Sequence, residues 1–298
     1  MNLRQLQCFL VLAEERHFTR AAGRLHMEQS PLSRTIRDLE GDLDAVLFSR
    51  GPGQGTQLTP AGHALAEAVP RIFNLLEQTR SSVLAATSGF QHSLRVAISD
   101  GILPQRLAAL LACCREEEPD INIRLFEVPL AEQLKGLQQD VFDIGLACSS
   151  GEASGLYAET LWQSQLVVTL PPRHPLLIHK QVPLIEVLNY PLVLFHPQVQ
   201  AGLHEQIAAL LSTVETAPKV AERATSQEML LSLVAAGYAV GLSCSAQLAT
   251  RSTPSIVTRP LAGEPAPLTT YLLRSQCEPK PPLSRFIARA RNMAAHYI

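Results

Sequence analysis

A chain of 298 residues exceeds the usual size of one domain, and a net charge of −2 at neutral pH gives it no global attraction to nucleic acid. With 46% hydrophobic, 17% charged and 5% aromatic residues it lacks the polar bias of disorder, and no apolar run is long enough to span a membrane. Six cysteines, at 8, 113, 114, 148, 244 and 277, show no C-x-x-C and no repeated spacing, which argues against a disulfide framework or a metal site and reads as buried reduced thiols.

The opening MNLRQLQCFL runs straight into Glu14 and Glu15, without the continuous apolar core of a secretory signal, so the expected location is cytoplasmic. Leu3, Leu6, Leu10 and Ala13, with Phe9 beside them, recur at helical spacing and predict an amphipathic helix over 3–15. Thr19 reads as the N-cap of a second helix, in which Ala21, Ala22 and Leu25 let a neighbour approach closely. After the turn HME a third helix carries the stripe Leu32, Ile36, Leu39 and Leu43, with Gln29, Ser30, Ser33, Arg34 and Arg37 on the opposite face. Two short helices joined by a tight turn, the second with Gln, Ser and Arg on its free face, suit a helix-turn-helix that reads the major groove. An ordinary solvated face holds the same residue types, and on those types alone it is the commoner explanation. The first 58 residues balance seven Arg against seven Asp plus Glu, so any DNA affinity comes from charge placement. Every fixed cation before Lys135 is Arg, whose fork of donors grips phosphate or guanine; a GC-rich genome would produce part of that bias.

The next segment, AVLFSRGPGQGTQLTPAG, reads as a short apolar strand, a Gly/Pro-rich loop at 51–55 and a second strand, that is, a wing. The stretches LRQLQCFLVLAEERHFTRAAGRLHMEQSPLSRTIRDLEGDL, LFSR and LTPAG together resemble the N-terminal domain of the LysR-type transcriptional regulators. By that resemblance the partner is double-stranded DNA. Gln29, Ser30, Pro31, Ser33 and Arg34 would face base edges and backbone, Arg50 on the wing would meet phosphate or minor groove, and Thr19 and Arg20 would touch phosphates. Two starts for the third helix stay open, because Ser30 and Pro31 could themselves be N-cap and first helical residue.

Thr59 and Pro60 read as N-cap and first residue of a long helix with a seam at Ala61, Leu65, Ala68, Ile72, Leu75, Thr79 and Val83, in steps of four and three. In the family that this chain resembles, the corresponding linker helix pairs antiparallel with its partner to make a dimer. Pro70 removes an interior helical bond, so a bend is expected near Glu67.

From Ser93 the texture changes to β-branched runs alternating with amphipathic helices: LRVAIS, a helix over 103–116, INIRLFEV, a helix over 130–139, FDIGLA. It recurs as LVVTL, LVLF, a helix over 203–212, KVAER, a helix over 226–236 and AVGLS. Such alternation implies parallel strands with crossover helices, here in two similar lobes. This part too is similar to the LysR family, whose effector domain resembles periplasmic binding proteins, and the two crossings are expected near 160–168 and 266–274. Ligands in such folds sit at the carboxyl ends of strands. The candidates are Ser99, Asp100, Gly101, Val128, Phe195, His196, Gln198 and Thr225. Structural alternatives stand beside them: Thr225 with Glu228 as a capping box, His196 before Pro197 as a turn residue, Gly101 serving only its turn. Family effectors are commonly small organic acids, yet Asp100 at the cleft would repel a second carboxylate, and a neutral, polar or cationic ligand fits as well.

The resulting expectation is an α/β protein with an all-α/winged N-terminal domain: a winged helix-turn-helix at 1–58, a linker/dimerisation helix at 59–88, and a bilobal periplasmic-binding-protein-like effector domain at 93–298. Lobe I is 93–162 with 270–298, and lobe II is 163–269. The implied regulator is a dimer through the linker helix or a tetramer, works with RNA polymerase and a small-molecule effector, and needs no cofactor or metal. Enzyme chemistry is not legible, since there is no G-x-S-x-G, P-loop or dinucleotide glycine motif and no His pair at metal spacing. A free-standing solute-binding protein shares the bilobal fold, but the winged helix argues against it. A redox switch at Cys148 and Cys244 has no support in the spacing.

Overall fold

The computed structural model describes residues 1–51, 55–87, 90, 92–248, 255–263 and 265–295, without side-chain detail at 50, 51, 55, 81, 82, 84–86, 153 and 295. The chain forms two compact units, Met1–Arg80 and Ser81–Ile298.

In the first unit, helix α1 (Leu3–Glu15) is capped by Asn2: its side chain accepts from the Gln5 N–H at 3.0 Å while the Gln5 side chain accepts from the Asn2 N–H at 2.7 Å. Helices α2 (Phe18–Arg24) and α3 (Gln29–Leu43) follow. His17, not Thr19, occupies the N-cap of α2 and makes no side-chain cap, so Thr19 lies inside the first turn. Its hydroxyl is used elsewhere. Phe9, Leu12, Leu32, Leu39 and Leu47 are fully buried, and the small Ala21 and Ala22 allow α2 to close on that core. Strands β1 (Phe48–Gly51) and β2 (Gly55–Leu58) pair antiparallel as the wing, from Phe48 against Leu58 to Gly51 against Gly55. Glu40 of α3 ties the wing down by accepting from the Leu47 N–H at 2.8 Å.

Helix α4 (Pro60–Thr87) starts where expected. The Thr59 hydroxyl accepts from the Gly62 N–H at 3.0 Å and donates to the Val46 carbonyl at 2.6 Å. A Cβ on Gly62 would stand 2.2 Å from the Leu47 carbonyl oxygen, so only glycine lets α4 seat there. Val69 is buried and Leu65, Ala66, Ile72 and Phe73 pack on the first unit's core, whereas Leu75, Leu76 and Val83 are exposed at 63%, 41% and 60%. The helix therefore spends its first half on its own unit and leaves apolar residues uncovered beyond it. It runs unbroken through Pro70, so the proline does not end it.

The second unit contains two five-stranded sheets. The first orders β4 (Ile121–Glu127), β3 (His92–Ile98), β5 (Ile144–Ala147), β12 (Leu268–Arg274) and β6 (Tyr157–Ser164); the second orders β11 (Val257–Pro260), β7 (Leu166–Leu170), β10 (Val240–Cys244), β8 (Leu192–Phe195) and β9 (Val220–Ala224). The central pairs β3–β4, β3–β5, β8–β9 and β8–β10 are parallel, as the alternation of runs and helices requires, and β12, β6, β7 and β11 close the sheets antiparallel. The chain leaves the first sheet after Ser164, enters the second at Leu166, and returns between Pro260 and Leu268. Both crossings fall within or beside the expected ranges, with β6 and β12 each extending two residues past the lobe limits read from the sequence.

Helices α5 (Pro104–Glu117), α6 (Leu130–Gln138) and α11 (Pro281–Ala295) belong with the first sheet; α7 (Leu184–Val187), α8 (Ala201–Leu211), α9 (Gln227–Ala235) and α10 (Ser245–Leu248) lie in the segment that forms the second. Each alternating stretch ends in a helix followed by a strand, α6–β5 in the first and α9–β10 in the second. Buried Gln133 of α6 satisfies two strand carbonyls, donating to Ala97 at 2.9 Å and to Leu146 at 3.0 Å. Arg289 of α11 grips Glu117 and Glu118 at the end of α5; hydrogen bonds from Arg289 lower the Glu117 carboxyl, while at Glu118 burial opposes Arg289 and Arg285 without overcoming them.

Candidate functional site

The first unit offers a polar surface on α3. Leu32, Ile36 and Leu39 face inward, and Gln29, Ser30, Pro31, Arg34 and Arg37 are exposed, with Ser33 half-buried. The helix begins at Gln29 with Glu28 at its N-cap, so Ser30 is not the cap. Pro31 sits in the first turn, where its missing N–H costs nothing because those amides have no intrahelical partner. The Thr19 hydroxyl donates to the Gln29 side-chain oxygen at 3.1 Å, which brings two of the expected contacts together. Arg20 is held back toward α1, donating to the Glu15 carbonyl at 2.6 Å, although its side chain stays 66% exposed. Arg24 is committed to Glu14 at 2.6 Å and Glu15 at 3.3 Å, and the Glu14 hydrogen bond leads in pushing its guanidinium up. Among the described residues Arg34 and Arg37 form no ion pair, which leaves their forks available. Arg50 is in β1 opposite Thr56, and its side chain lies outside the described residues.

In the second unit the strand ends meet at α8. Asp100, expected to face a ligand at the cleft, is buried, and its carboxylate accepts from the Leu203 N–H at 2.9 Å. Leu203 is in the first turn of α8, so Asp100 satisfies an otherwise free amide of that helix across the two sheets. Burial raises the Asp100 carboxyl above its ordinary value, and the amides of Leu203 and Gly202, which favour the charged form, offset only part of this. The folded state thus holds that proton more tightly than the unfolded chain, and stability is lost as pH rises from the unfolded value of 3.8 through the raised folded one. Asp100→Asn is expected to remove this loss: the melting temperature of wild type minus variant should fall from about pH 4 to about pH 7, and a difference that is flat or rises would refute it.

Two further links hold α8 to the first sheet. Gln206 donates to the carbonyls of Cys148 and Thr269 and accepts from the Thr269 N–H at 2.8 Å, and Ser149 donates to Glu205 at 3.0 Å. A Cβ on Gly202 would stand 2.7 Å from the Cys148 carbonyl carbon, so the approach needs glycine. Gly101 has φ +78°, and a Cβ there would strike the Cys148 sulfur, so it serves both its turn and this contact.

The other sequence-predicted residues separate. Ser99 is buried at the end of β3; Val128 is half-buried, its N–H on the Ile98 carbonyl at 3.0 Å, packing with Leu137 and Phe142. Phe195 is 1% exposed within the core of the second sheet, which makes it a packing residue. His196 accepts from the Gln198 N–H at 3.2 Å, a turn role, and Gln198 is exposed. Thr225 is exposed and does not cap α9: that residue is Ser226, whose hydroxyl accepts from the Met229 N–H at 3.2 Å. The cap therefore lies one residue later than read, and with Met229 in place of a Glu or Gln at its third position it is not a capping box.

Between the sheets lies a small cavity with room for at most about one water molecule, walled by Leu103, Cys148, Trp162, Leu203, Cys244 and Leu268 among others. Of the residues read from the sequence as effector contacts only Gly101 lines it. The missed signal was the crossing segments themselves, since Trp162, Gln163, Ser164, Leu268 and Thr270 all come from the ranges expected to cross. Cys148 and Cys244 enter from opposite lobes; burial, reinforced by the Asp100 charge, raises the Cys148 thiol far above its usual range, so it stays protonated and weakly nucleophilic.

Two family models account for nearly the whole chain: "Bacterial regulatory helix-turn-helix protein, lysR family" over residues 3–63 and "LysR substrate binding domain" over 87–295. The chain belongs to the LysR family. This LysR regulator is 29% identical over 294 residues to the transcriptional regulator TfdS of Cupriavidus pinatubonensis, covering 98% of each chain. It is 28% identical over 243 residues to the HTH-type transcriptional regulator YnfL of Escherichia coli, covering 81% of this chain and 82% of that one. Full-length CbnR, a LysR-family regulator solved in complex with its target DNA, superposes with a TM-score of 0.68 at 26% identity, covering 99% of this chain and 100% of CbnR. These relatives are transcriptional regulators, and this LysR chain is a regulator too, not an enzyme. Among the described residues no helix is long and apolar enough to cross a membrane.

Proposed function

We propose that α3 of this LysR regulator enters the major groove of a pseudo-palindromic promoter site, with Ser33 and Arg34 at base edges and Gln29, Ser30 and Pro31 at the groove wall. Thr19 and Arg20 meet phosphates, and Arg50 on the wing meets phosphate or minor groove. The observation that carries this reading is the exposed Arg34 and Arg37 on a helix whose opposite stripe is fully buried, next to a two-stranded wing. The exposed Leu75, Leu76 and Val83 of α4 support pairing of two linker helices, which sets the spacing of two α3 helices.

In this reading the working limits are 1–58 for DNA, 59–88 for dimerisation and 93–298 for the effector. Dimers pair to tetramers, the protein works in the cytoplasm with RNA polymerase, and a small molecule between the lobes shifts the DNA-bound arrangement by no more than its differential affinity for the two states.

Arg34→Ala is expected to lose about 1 to 3 kcal/mol of specific binding. Titration of the full-length variant against promoter fragments recovered by the purified protein checks this, and an unchanged preference for those fragments over random DNA would remove Arg34 from base reading.

A further inference from the structure

The hydroxyl of Thr19 has one proton, and that proton is spent inside the protein. It is donated to Oε1 of Gln29 at 3.1 Å, from the first turn of α2 to the first residue of α3. A phosphate offers acceptors only, so one O–H cannot serve a phosphate and Gln29 together. What Thr19 keeps for the phosphate contact proposed above is its main-chain N–H, which belongs to a first turn whose amides have no intrahelical partner.

Gln29 gains a direction from this bond. An exposed glutamine without such a partner turns freely and presents either end of its amide, the accepting oxygen or the donating nitrogen. With Oε1 held toward α2, Nε2 stands on the other side of the amide carbon, and among the described residues it has no hydrogen-bond partner. A donor aimed at base edges in the major groove meets acceptors on guanine, adenine and thymine, but on cytosine only the N4 amino group, itself a donor.

We infer that Thr19 is a positioning residue for base reading: its hydroxyl fixes the Gln29 amide with the nitrogen toward the groove, so that Gln29 rejects cytosine at the base it meets. This rests on the reading of α3 as the helix in the major groove and extends it, since from the groove wall Gln29 reaches a base edge with a chosen end of its amide. Thr19 itself touches no base. Without its hydroxyl the amide is free to turn over, the oxygen accepts from cytosine, and the rejection is lost although Gln29 stays in place.

The test titrates the full-length protein against a promoter fragment that it retains and against the set of single-base substitutions of that fragment. Gln29→Ala marks the base concerned, as the position where discrimination disappears. There the wild type should bind the cytosine fragment about 5- to 150-fold more weakly than the preferred one. Thr19→Val, which keeps the shape and removes the donor, should abolish that penalty with the salt dependence unchanged. Thr19→Ser, which keeps the donor, should retain it.

A phosphate role for the hydroxyl gives a different pattern: Thr19→Val would weaken every fragment alike and lower the salt slope by about 1, with the base ranking intact. That pattern overturns the inference, as does a Thr19→Ser that ranks bases like Thr19→Val, a Gln29→Ala that loses no discrimination, or a wild type that prefers cytosine at the Gln29 position. Thr19 is exposed, and where Thr19→Val melts early by circular dichroism, Thr19→Ala supplies the same loss of the hydroxyl. A protein that binds no fragment selectively defeats the proposed function and this inference with it; selective binding with an unmoved ranking in Thr19→Val defeats this inference alone.

Discussion

The affinity of this LysR regulator for its operator is expected to fall roughly 10³- to 10⁵-fold between about 50 and about 200 mM salt, as for a dimer that neutralises about 6 to 10 phosphates. The reasoning starts from the charge balance of the first 58 residues, seven Arg against seven acidic residues, which leaves no diffuse attraction for salt to screen. What remains is a set of placed cations. Arg34 and Arg37 stand free on α3, and Arg20 keeps an exposed guanidinium despite its bond to Glu15; Arg24 is spent on Glu14 and Glu15 and should contribute little. Two copies of such a set, with wing and backbone contacts, reach the required number of phosphates. Fluorescence-anisotropy titrations across that salt range check the slope. A response that is nearly flat would mean that the proposed arginine contacts to phosphate do not form.

Phe9→Ala should have the largest effect on stability in the first unit. Phe9 is fully buried, and its ring packs against Phe48 of the wing with centroids 5.3 Å apart at an interplanar angle of 48°. It joins α1 to β1 in the same core that seats the buried stripe of α3. Truncating such a ring costs about 3 to 5 kcal/mol in lost burial and cavity formation. A unit of this size has a total stability of only about 4 to 12 kcal/mol at typical per-residue values, so the variant should lie close to unfolding. The expected observation is loss of DNA binding and an early melting step by circular dichroism. The fluorescence of Trp162, which belongs to the second unit, should keep its native melting profile. Wild-type melting together with wild-type DNA affinity would show that the Phe9–Phe48 contact supports neither the wing nor α3.

Much of the first unit was legible because it is built from local signals. The bounds of α1 and the stripe of α3 follow from apolar spacing, and the start of α4 follows from Thr59 and Pro60. The caps were less legible. Thr19 and Ser30 are good capping residues, yet His17 and Glu28 occupy those places without any side-chain cap, because packing of Phe18 and Leu32 sets where the helices begin. A cap contributes about 1 kcal/mol, and a buried aromatic or leucine contributes more.

The space between the two sheets was legible only in outline. Of the strand-end residues read as effector contacts Gly101 lines the cavity there, but Asp100 looked like a group presented to a ligand and is instead bonded to a helix a hundred residues further along. Phe195 and Val128 are at the correct strand ends and serve packing. Nothing local to Asp100 distinguishes the two outcomes, since the partner amide belongs to Leu203.

Residue order alone therefore determined the family, the winged helix-turn-helix and the alternation that makes two parallel-centred sheets, because periodicity, capping and turn chemistry act over a few neighbours. The tertiary structure alone decided which carboxylate meets which helix and which thiols share a wall. Those outcomes depend on contacts between segments far apart in the chain, and a buried polar group takes its role from whatever distant atom shares its exclusion from water.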